Sequence, residues 1–234
     1  MIQLVSYDVW QTLLRANPKY VELRGKLIAT ALEWTGDPAR LIQAVNTASK
    51  ELDHQTDATG GAVQYGFTDR VAYAAKLVGL ELPSSTRLIE LQVSVIKAHL
   101  AHPPRLEPDL PDTFRRHHDE GRKIAVISNT GMTEGYTLRQ ILDKLGLLEY
   151  IHYELYSDVL NLAKPDARIF EELTRRSNIT ADKILHIGDN RVADYQGAKD
   201  AGLQALLYAP RNTATVSSIA RHADVFGHLP STND

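Results

Sequence analysis

Asp8 stands at the end of an apolar, β-prone run over residues 2–7, with Thr12 four positions further on. A carboxylate there can attack phosphorus or carbon and form a covalent intermediate that divides one difficult step into two. The carboxyl end of the first strand is also where open α/β sheets place their ligands. Three later segments add complementary groups. A second apolar run, 123–128, ends in Ser128-Asn129-Thr130. Its hydroxyl, with the backbone N–H groups of Asn129 and Thr130 at a strand–helix turn, suits a phosphate oxygen. Lys164, in Ala163-Lys164-Pro165-Asp166, offers positive charge to a phosphoryl group or to the carboxylate of Asp8. Asp189 and Asp194 lie five residues apart after the apolar run 183–187. Carboxylates are the oxygen donors magnesium prefers, and an acidic cluster with Asp8 needs a cation to stay ionised.

Each of these residues also has an ordinary reading. Asp8 and Asp189 are good helix caps, Asp194 a good solvated helix residue, and Lys164-Pro165 a good exposed loop. The order Asp, Ser, Lys, Asp/Asp, with each member at the edge of a strand or helix, favours chemistry. That order resembles the four-motif signature of the haloacid dehalogenase-like (HAD) hydrolases. The resemblance covers nearly the whole chain, including DKLGLLEYIHYELYSDVLNLAKPDARIFEEL around Lys164 and DYQGAKDAGLQALLY from Asp194 onward. It implies an α/β fold, a doubly wound parallel-sheet (Rossmann-like) core with an inserted helical cap. It further implies catalysis by Asp8 and Lys164, and phosphate binding by Ser128, Asn129, Thr130 and Lys164. Magnesium (Mg2+) would be held by Asp8, Asp189, Asp194 and the backbone carbonyl of Trp10. The expected partner is a small phosphorylated molecule.

The elements that must position these groups are legible in outline. Strand-like runs over 2–7, 123–128, 183–187 and 203–208, the last three separated by helical patterns, read as a parallel sheet. A shorter run, 153–156, adds a strand, and Val225-Phe226 a last edge. Residues 16–100 have almost no strand character and read as a four-helix insert, the cap, leaving 1–15 and 101–234 as the core. Within it, Asp37-Pro38 reads as an N-cap followed by proline at the first helical position, and Thr68 and Ser84 as further caps. Gly121 reads as a helix stop, and 229–234 as a frayed tail.

At 234 residues the chain is long enough for a domain with an insert, and its net charge of −3 gives no reason to expect nucleic acid or a membrane as partner. The absence of cysteine excludes disulfides, a thiolate nucleophile and a zinc–thiolate site. The first residues lack a signal-peptide pattern and no run reaches membrane-spanning length, so a cytoplasmic enzyme is expected, as monomer or homodimer.

One position departs from the family pattern. Phosphatases of this kind usually carry D-x-D-G-T, whose second Asp protonates the leaving group and then activates water. Here Trp10 and Gln11 follow Val9. An indole N–H has no acid–base use, and losing a positioned acid costs about 10²- to 10⁴-fold in rate. Three readings remain open on the sequence. The first is a magnesium-dependent phosphohydrolase whose substrate has a good leaving group, or whose cap supplies the acid from Glu51, Asp53, His54 or Asp57. The second is a 2-haloacid dehalogenase, which needs no metal; the cap arginine that holds the substrate carboxylate in those enzymes has no clear counterpart here, Gln43 standing near its place with Arg40 close by. The third is a catalytically weak or non-catalytic member that binds phosphate and metal. The polar cap residues Arg24, Arg40, His54, Gln55 and Arg70 are the candidates for specificity.

Overall fold

The computed structural model describes residues 1–210 and 217–229. The run leading to Asp8 forms β1 (Leu4–Tyr7), whose four side chains are all buried. Both faces of this strand are covered, which is why its sequence is apolar without alternation. A short strand, β2 (Leu14–Arg15), follows the turn after Asp8. Four helices come next: α1 (Pro18–Ala31), α2 (Pro38–Ala58), α3 (Phe67–Leu77) and α4 (Ser85–Ala101). Proline at the start of α1 and α2 sits where its missing N–H costs nothing. Asn17, Asp37 and Ser84 accept hydrogen bonds from the first turns of α1, α2 and α4. Thr68 is not a cap. Helix α3 starts one residue earlier, and the Gly66 N–H donates to Asp69 Oδ2 at 2.9 Å. The four helices share an apolar core that includes Ile28, Leu41, Val45, Val71, Leu91 and Val95.

The chain returns through β3 (Arg105–Leu106), which pairs antiparallel with β2, so both crossings between the helices and the sheet run through one ribbon. Then follow α5 (Leu110–Asp119), β4 (Lys123–Ser128), α6 (Gly135–Lys144), β5 (Ile151–Tyr156), the single turn α7 (Ser157–Leu160) and α8 (Ala167–Ser177). Gly121, at φ +68°, ends the segment of α5 as expected. The remaining elements are β6 (Ile184–Gly188), a wide turn of helix at Arg191–Gln196, α9 (Gly197–Asp200), β7 (Gln204–Tyr208) and β8 (Ser218–Ile219).

The six strands of the main sheet lie in the order β5-β4-β1-β6-β7-β8, and every pair is parallel. Helices α5 and α6 pack on one face through Leu110, Phe114, Leu138 and Ile141. On the other, α8 packs through Ile169, Phe170 and Leu173. The parallel arrangement sends the carboxyl ends of β1, β4 and β6 to one edge. Because the chain order reverses on either side of β1, a crevice opens there.

Val225 and Phe226 do not form the last edge strand. They lie in a 3₁₀ turn over His222–Gly227, and β8 closes the sheet instead. Asp109 pulls that turn onto α5: its carboxylate accepts from the Ala223 N–H at 3.0 Å and lies 3.1 Å from the His222 ring. Residues 230–234 of the expected tail lie outside the described residues.

Although burial opposes the charge of Asp109, the His222 and Ala223 contacts hold its pKa down to about 2. The carboxylate is therefore ionised in the fold down to about pH 2, but in the unfolded chain only to about pH 4. Its contribution is complete above pH 4 and is lost as pH falls toward 2. Asp109→Ala is expected to lower unfolding free energy by about 2 kcal/mol at pH 7. The deficit should shrink steadily in urea titrations repeated between pH 4 and 2.5.

Candidate active site

The buried ammonium of Lys164 sits between two carboxylates. Its Nζ donates to Asp8 Oδ1 at 2.7 Å, to Asp194 Oδ1 at 2.6 Å and to the carbonyl of Ile127 at 2.8 Å. All three donors of the ammonium are thereby used. Burial disfavours its charge, yet Asp194 and Asp8 hold it protonated, above the usual lysine range. The partners answer differently. Burial pushes Asp8 up to about 7, with Asp194 and Asp189 adding to the rise against the pull of Lys164. Asp194 is buried as well, but Lys164 and His186 hold its carboxyl below the usual range. Asp189 opens to the cleft, and desolvation by the surrounding walls together with Asp194 lifts it to about 6.

Local sequence explains these placements. The Asp8 N–H donates to the Ile187 carbonyl, which extends the β1–β6 pairing by one residue and aims Asp8 out of the sheet edge. A Cβ at Gly188 would collide with the Asp194 carboxyl, so glycine before Asp189 makes room for the second acid. Asn190, not Asp189, caps the turn that follows, accepting from the N–H groups of Val192 and Ala193. That leaves the Asp189 carboxylate to the cleft. Both oxygens of Asp194 are engaged, Oδ1 by Lys164 and His186 and Oδ2 by the Asn190 N–H at 2.9 Å.

A polar chain runs beneath the site that sequence reasoning missed. His186 lies on β6 opposite Ser6 of β1, with Nδ1 2.8 Å from the Ser6 hydroxyl and Nε2 3.3 Å from Asp194. Burial lowers the His186 pKa, so the ring is neutral, and the anionic Asp194 assigns its proton to Nε2. The only sequence signal is a histidine and a serine inside otherwise apolar strands.

The turn after β4 differs from expectation. The Asn129 side chain accepts from the Lys164 N–H and donates to the Lys164 carbonyl, each at 2.8 Å, so it clamps the lysine loop. The Thr130 N–H, expected to face phosphate, donates to Ser157 Oγ at 2.9 Å. Thr130 Oγ1 in turn accepts from the Asp158 N–H. Ser128 is fully buried and does not line the cleft. Its hydroxyl lies 3.4 Å from the Asn129 carbonyl.

Above the sheet edge lies a cleft of about 670 Å³, walled on one side by Asp8, Lys164, Asp189 and Asp194 and on the other by α1, α2 and the start of α3. The helices touch each loop of the site. Asn190 Nδ2 donates to Asp57 Oδ2 at 2.9 Å. A Cβ at Gly61 would strike the carbonyl of Ala163, and one at Gly131 the guanidinium of Arg70. Trp10 stacks on His99 of α4 at 5.8 Å, and His99 stacks on Tyr20 of α1 at 3.8 Å. Of the proposed helical acid groups, Asp53 and Asp57 line the cleft, whereas Glu51 and His54 do not. Arg40 lies over the Trp34 ring, and neither it nor Gln43 lines the cleft.

Oxygens of Asp8, Asp189 and Asp194 all come within 4.8 Å of one another. Against their three negative charges stands one ammonium, so the cluster favours a further cation with a preference for oxygen donors.

At one edge of its parallel sheet this α/β fold gathers a buried ammonium and an acidic cluster. The pattern of the haloacid dehalogenase-like hydrolases matches residues 2–202, and the chain belongs to that family. It is 30% identical over 215 residues to the human haloacid dehalogenase-like hydrolase domain-containing protein 3, a match covering 88% of this chain and 81% of the human one. The match to the mouse counterpart, at 33% identity, covers 47% of this chain and 43% of that protein. Ribulose-1,5-bisphosphate 5-phosphatase of Halopiger xanaduensis is 29% identical over 118 residues, covering 50% of this chain and 48% of the enzyme. Among solved structures, the HAD-hydrolase YfnB of Bacillus subtilis bound to magnesium superposes with a TM-score of 0.73 at 18% identity, covering 97% of this chain and 98% of that one.

Lys164→Met leaves Asp8 and Asp194 buried without their shared cation. Removing one partner of a buried ionic group costs about 3 kcal/mol or more. The expected outcome is a lower midpoint in urea unfolding with chelator present, and an unchanged midpoint would mean the ammonium is not structural.

Proposed function

We propose that this protein is a magnesium-dependent phosphohydrolase that takes a small phosphorylated substrate through an aspartyl-phosphate on Asp8. The observation that carries the reading is the grouping of Asp8, Asp189 and Asp194 within 4.8 Å of one another beside Lys164, because three carboxylates against one ammonium suit an oxygen-seeking cation that metal-free dehalogenation does not use.

In the proposed reaction an Asp8 oxygen attacks phosphorus and forms an acyl-phosphate bond while the ester P–O bond breaks, and the leaving oxygen keeps the electron pair. Water then attacks phosphorus and passes its proton to the carboxylate that protonated the leaving group, the acyl-phosphate bond breaks, and Asp8 is restored with release of phosphate. Lys164 positions Asp8 and opposes the rise that burial imposes on its pKa, favouring the ionised form that attacks. Ser128 and the backbone N–H groups of the turn after it would take phosphoryl oxygens if the turn opens from the arrangement described above. Asp8, Asp189 and the Trp10 carbonyl would hold Mg2+, with Asp194, its oxygens occupied by protein, acting through water. The ion would supply charge neutralisation for the phosphoryl oxygens. Residues 16–100 serve in this reading as the cap that closes the cleft.

Trp10 cannot supply the leaving-group proton, and on the family pattern it stands where the acid usually does. The helical wall offers a replacement. Asp53 is bound to Arg70 at 2.7 Å, so its charge is committed. Asp57 forms no ion pair among the described residues, and burial raises its pKa. We assign Asp57 the proton for the leaving oxygen.

Phosphate release should require Mg2+, and Asp8→Asn should abolish it. Release that persists in chelator, or in Asp8→Asn, would refute the mechanism. Asp57→Asn is expected to slow hydrolysis of an alkyl phosphate by about 10²-fold and that of p-nitrophenyl phosphate far less, since only the alkyl alcohol needs a proton to leave. Equal losses on both substrates would remove Asp57 from that role.

A further inference from the structure

Four cationic side chains line the cleft: Arg24, Lys50, Arg70 and Lys164. Two of them are fully occupied by the protein. Lys164 is bound by Asp8, Asp194 and Ile127, as described. Arg70 spends its guanidinium on Asp53 at 2.7 Å and on the carbonyls of Ser49 and Tyr65, each at 3.1 Å. The other two, on α1 and α2, have no carboxylate within 4.0 Å among the described residues.

Arg24 is held ready rather than neutralised. Its guanidinium lies over the Tyr20 ring at 5.5 Å, and Nη2 donates to Asn46 Oδ1 at 3.2 Å. Its Nε is shut from solvent and has no hydrogen-bond partner among the described residues. The Tyr20 hydroxyl, on a side chain only 3% exposed, lies near Arg24 and Thr133 but meets no partner in good hydrogen-bonding geometry among the described residues. Buried donors without acceptors are unfavourable, and natural proteins keep few of them. Both of these occur on residues that line the same cleft. The stack Trp10–His99–Tyr20 connects them directly to the turn after Asp8. His99 brings no competing charge, since burial and then Arg24 hold its pKa down at about 4.

We propose that Arg24, with Lys50 and the Tyr20 hydroxyl, forms a subsite for a second anionic group of the substrate, a carboxylate or a second phosphate, at the end remote from the phosphoryl group attacked by Asp8. This rests on the phosphohydrolase reading for the first group and specifies the class of substrate: small phosphate esters that carry a further negative charge. A guanidinium with no carboxylate partner attracts either anion through charge-assisted hydrogen bonds. An uncharged alcohol ester would leave that cation and both donors unpaired.

The test compares three esters of equal length: 3-hydroxypropanoate phosphate, propane-1,3-diyl bisphosphate and propyl phosphate. Turnover is measured on the full chain with Mg2+, and binding of the same three by calorimetry on Asp8→Asn. At least one of the doubly anionic esters is expected to exceed propyl phosphate by about 10²-fold in kcat/KM and in affinity. Arg24→Gln should collapse that preference through KM, and Arg24→Lys should restore part of it. Which of the two anionic esters leads identifies carboxylate or phosphate as the second group. If Arg24→Gln fails to fold, Lys50→Gln, at an exposed position, carries the same test with a smaller loss. Equal handling of all three esters, or losses in Arg24→Gln that fall alike on each, would overturn the subsite while leaving the phosphohydrolase intact. Arg24-dependent preference in binding without turnover of any ester would uphold the subsite and overturn the phosphohydrolase reading.

Discussion

The buried ammonium of Lys164 is the constraint on which the site depends. A cation in the interior is tolerated only where its charge is matched and its donors are all used. Asp8, Asp194 and the Ile127 carbonyl do this, and they come from the ends of β1, β6 and β4. The contact exists only if the three parallel strands end together, with β1 in the middle. The same cation explains why the two carboxylates it touches diverge. Asp194 is bound on both oxygens and stays ionised, whereas Asp8 shares one oxygen with Lys164 and titrates near neutrality. One carboxylate is held on both oxygens and the other on one.

Beneath this arrangement the sheet carries polar cargo in strands that are otherwise apolar. Ser6 and His186 pair across β1 and β6 and brace Asp194 from below. Buried polar chains are favourable only when each member is satisfied, and here every link ends on a charged or hydrogen-bonding group. Asn129 braces the lysine from the side by bonding both backbone groups of Lys164. Ser6 and His186 thus help fix the position of the carboxylates without lining the cleft themselves.

The helices bring a second, independent wall. They have their own apolar core, and they meet the sheet edge through close backbone approaches at Gly61 and Gly131 and a polar link from Asp57 to Asn190. Trp10 takes part in this meeting through its stack with His99 and Tyr20. The large aromatic at this position therefore has a structural use, as part of the wall. The two walls of the cleft are built from different segments of the chain.

The sequence by itself determined the strands, the helices and the identity of the charged groups. Apolar runs of strand length, proline after Asp37, and carboxylates at run ends are local signals, and local physics reads them correctly. Where it erred at the turn after β4, the deciding partner was remote in sequence. The Thr130 N–H went to Ser157 and Asn129 went to Lys164. Val225 and Phe226 look like a strand but are held in a turn by Asp109, more than a hundred residues earlier. Only the tertiary structure decided which cations are spent within the protein and which face the cleft unpaired, because pairing depends on distances between segments that sequence order does not encode.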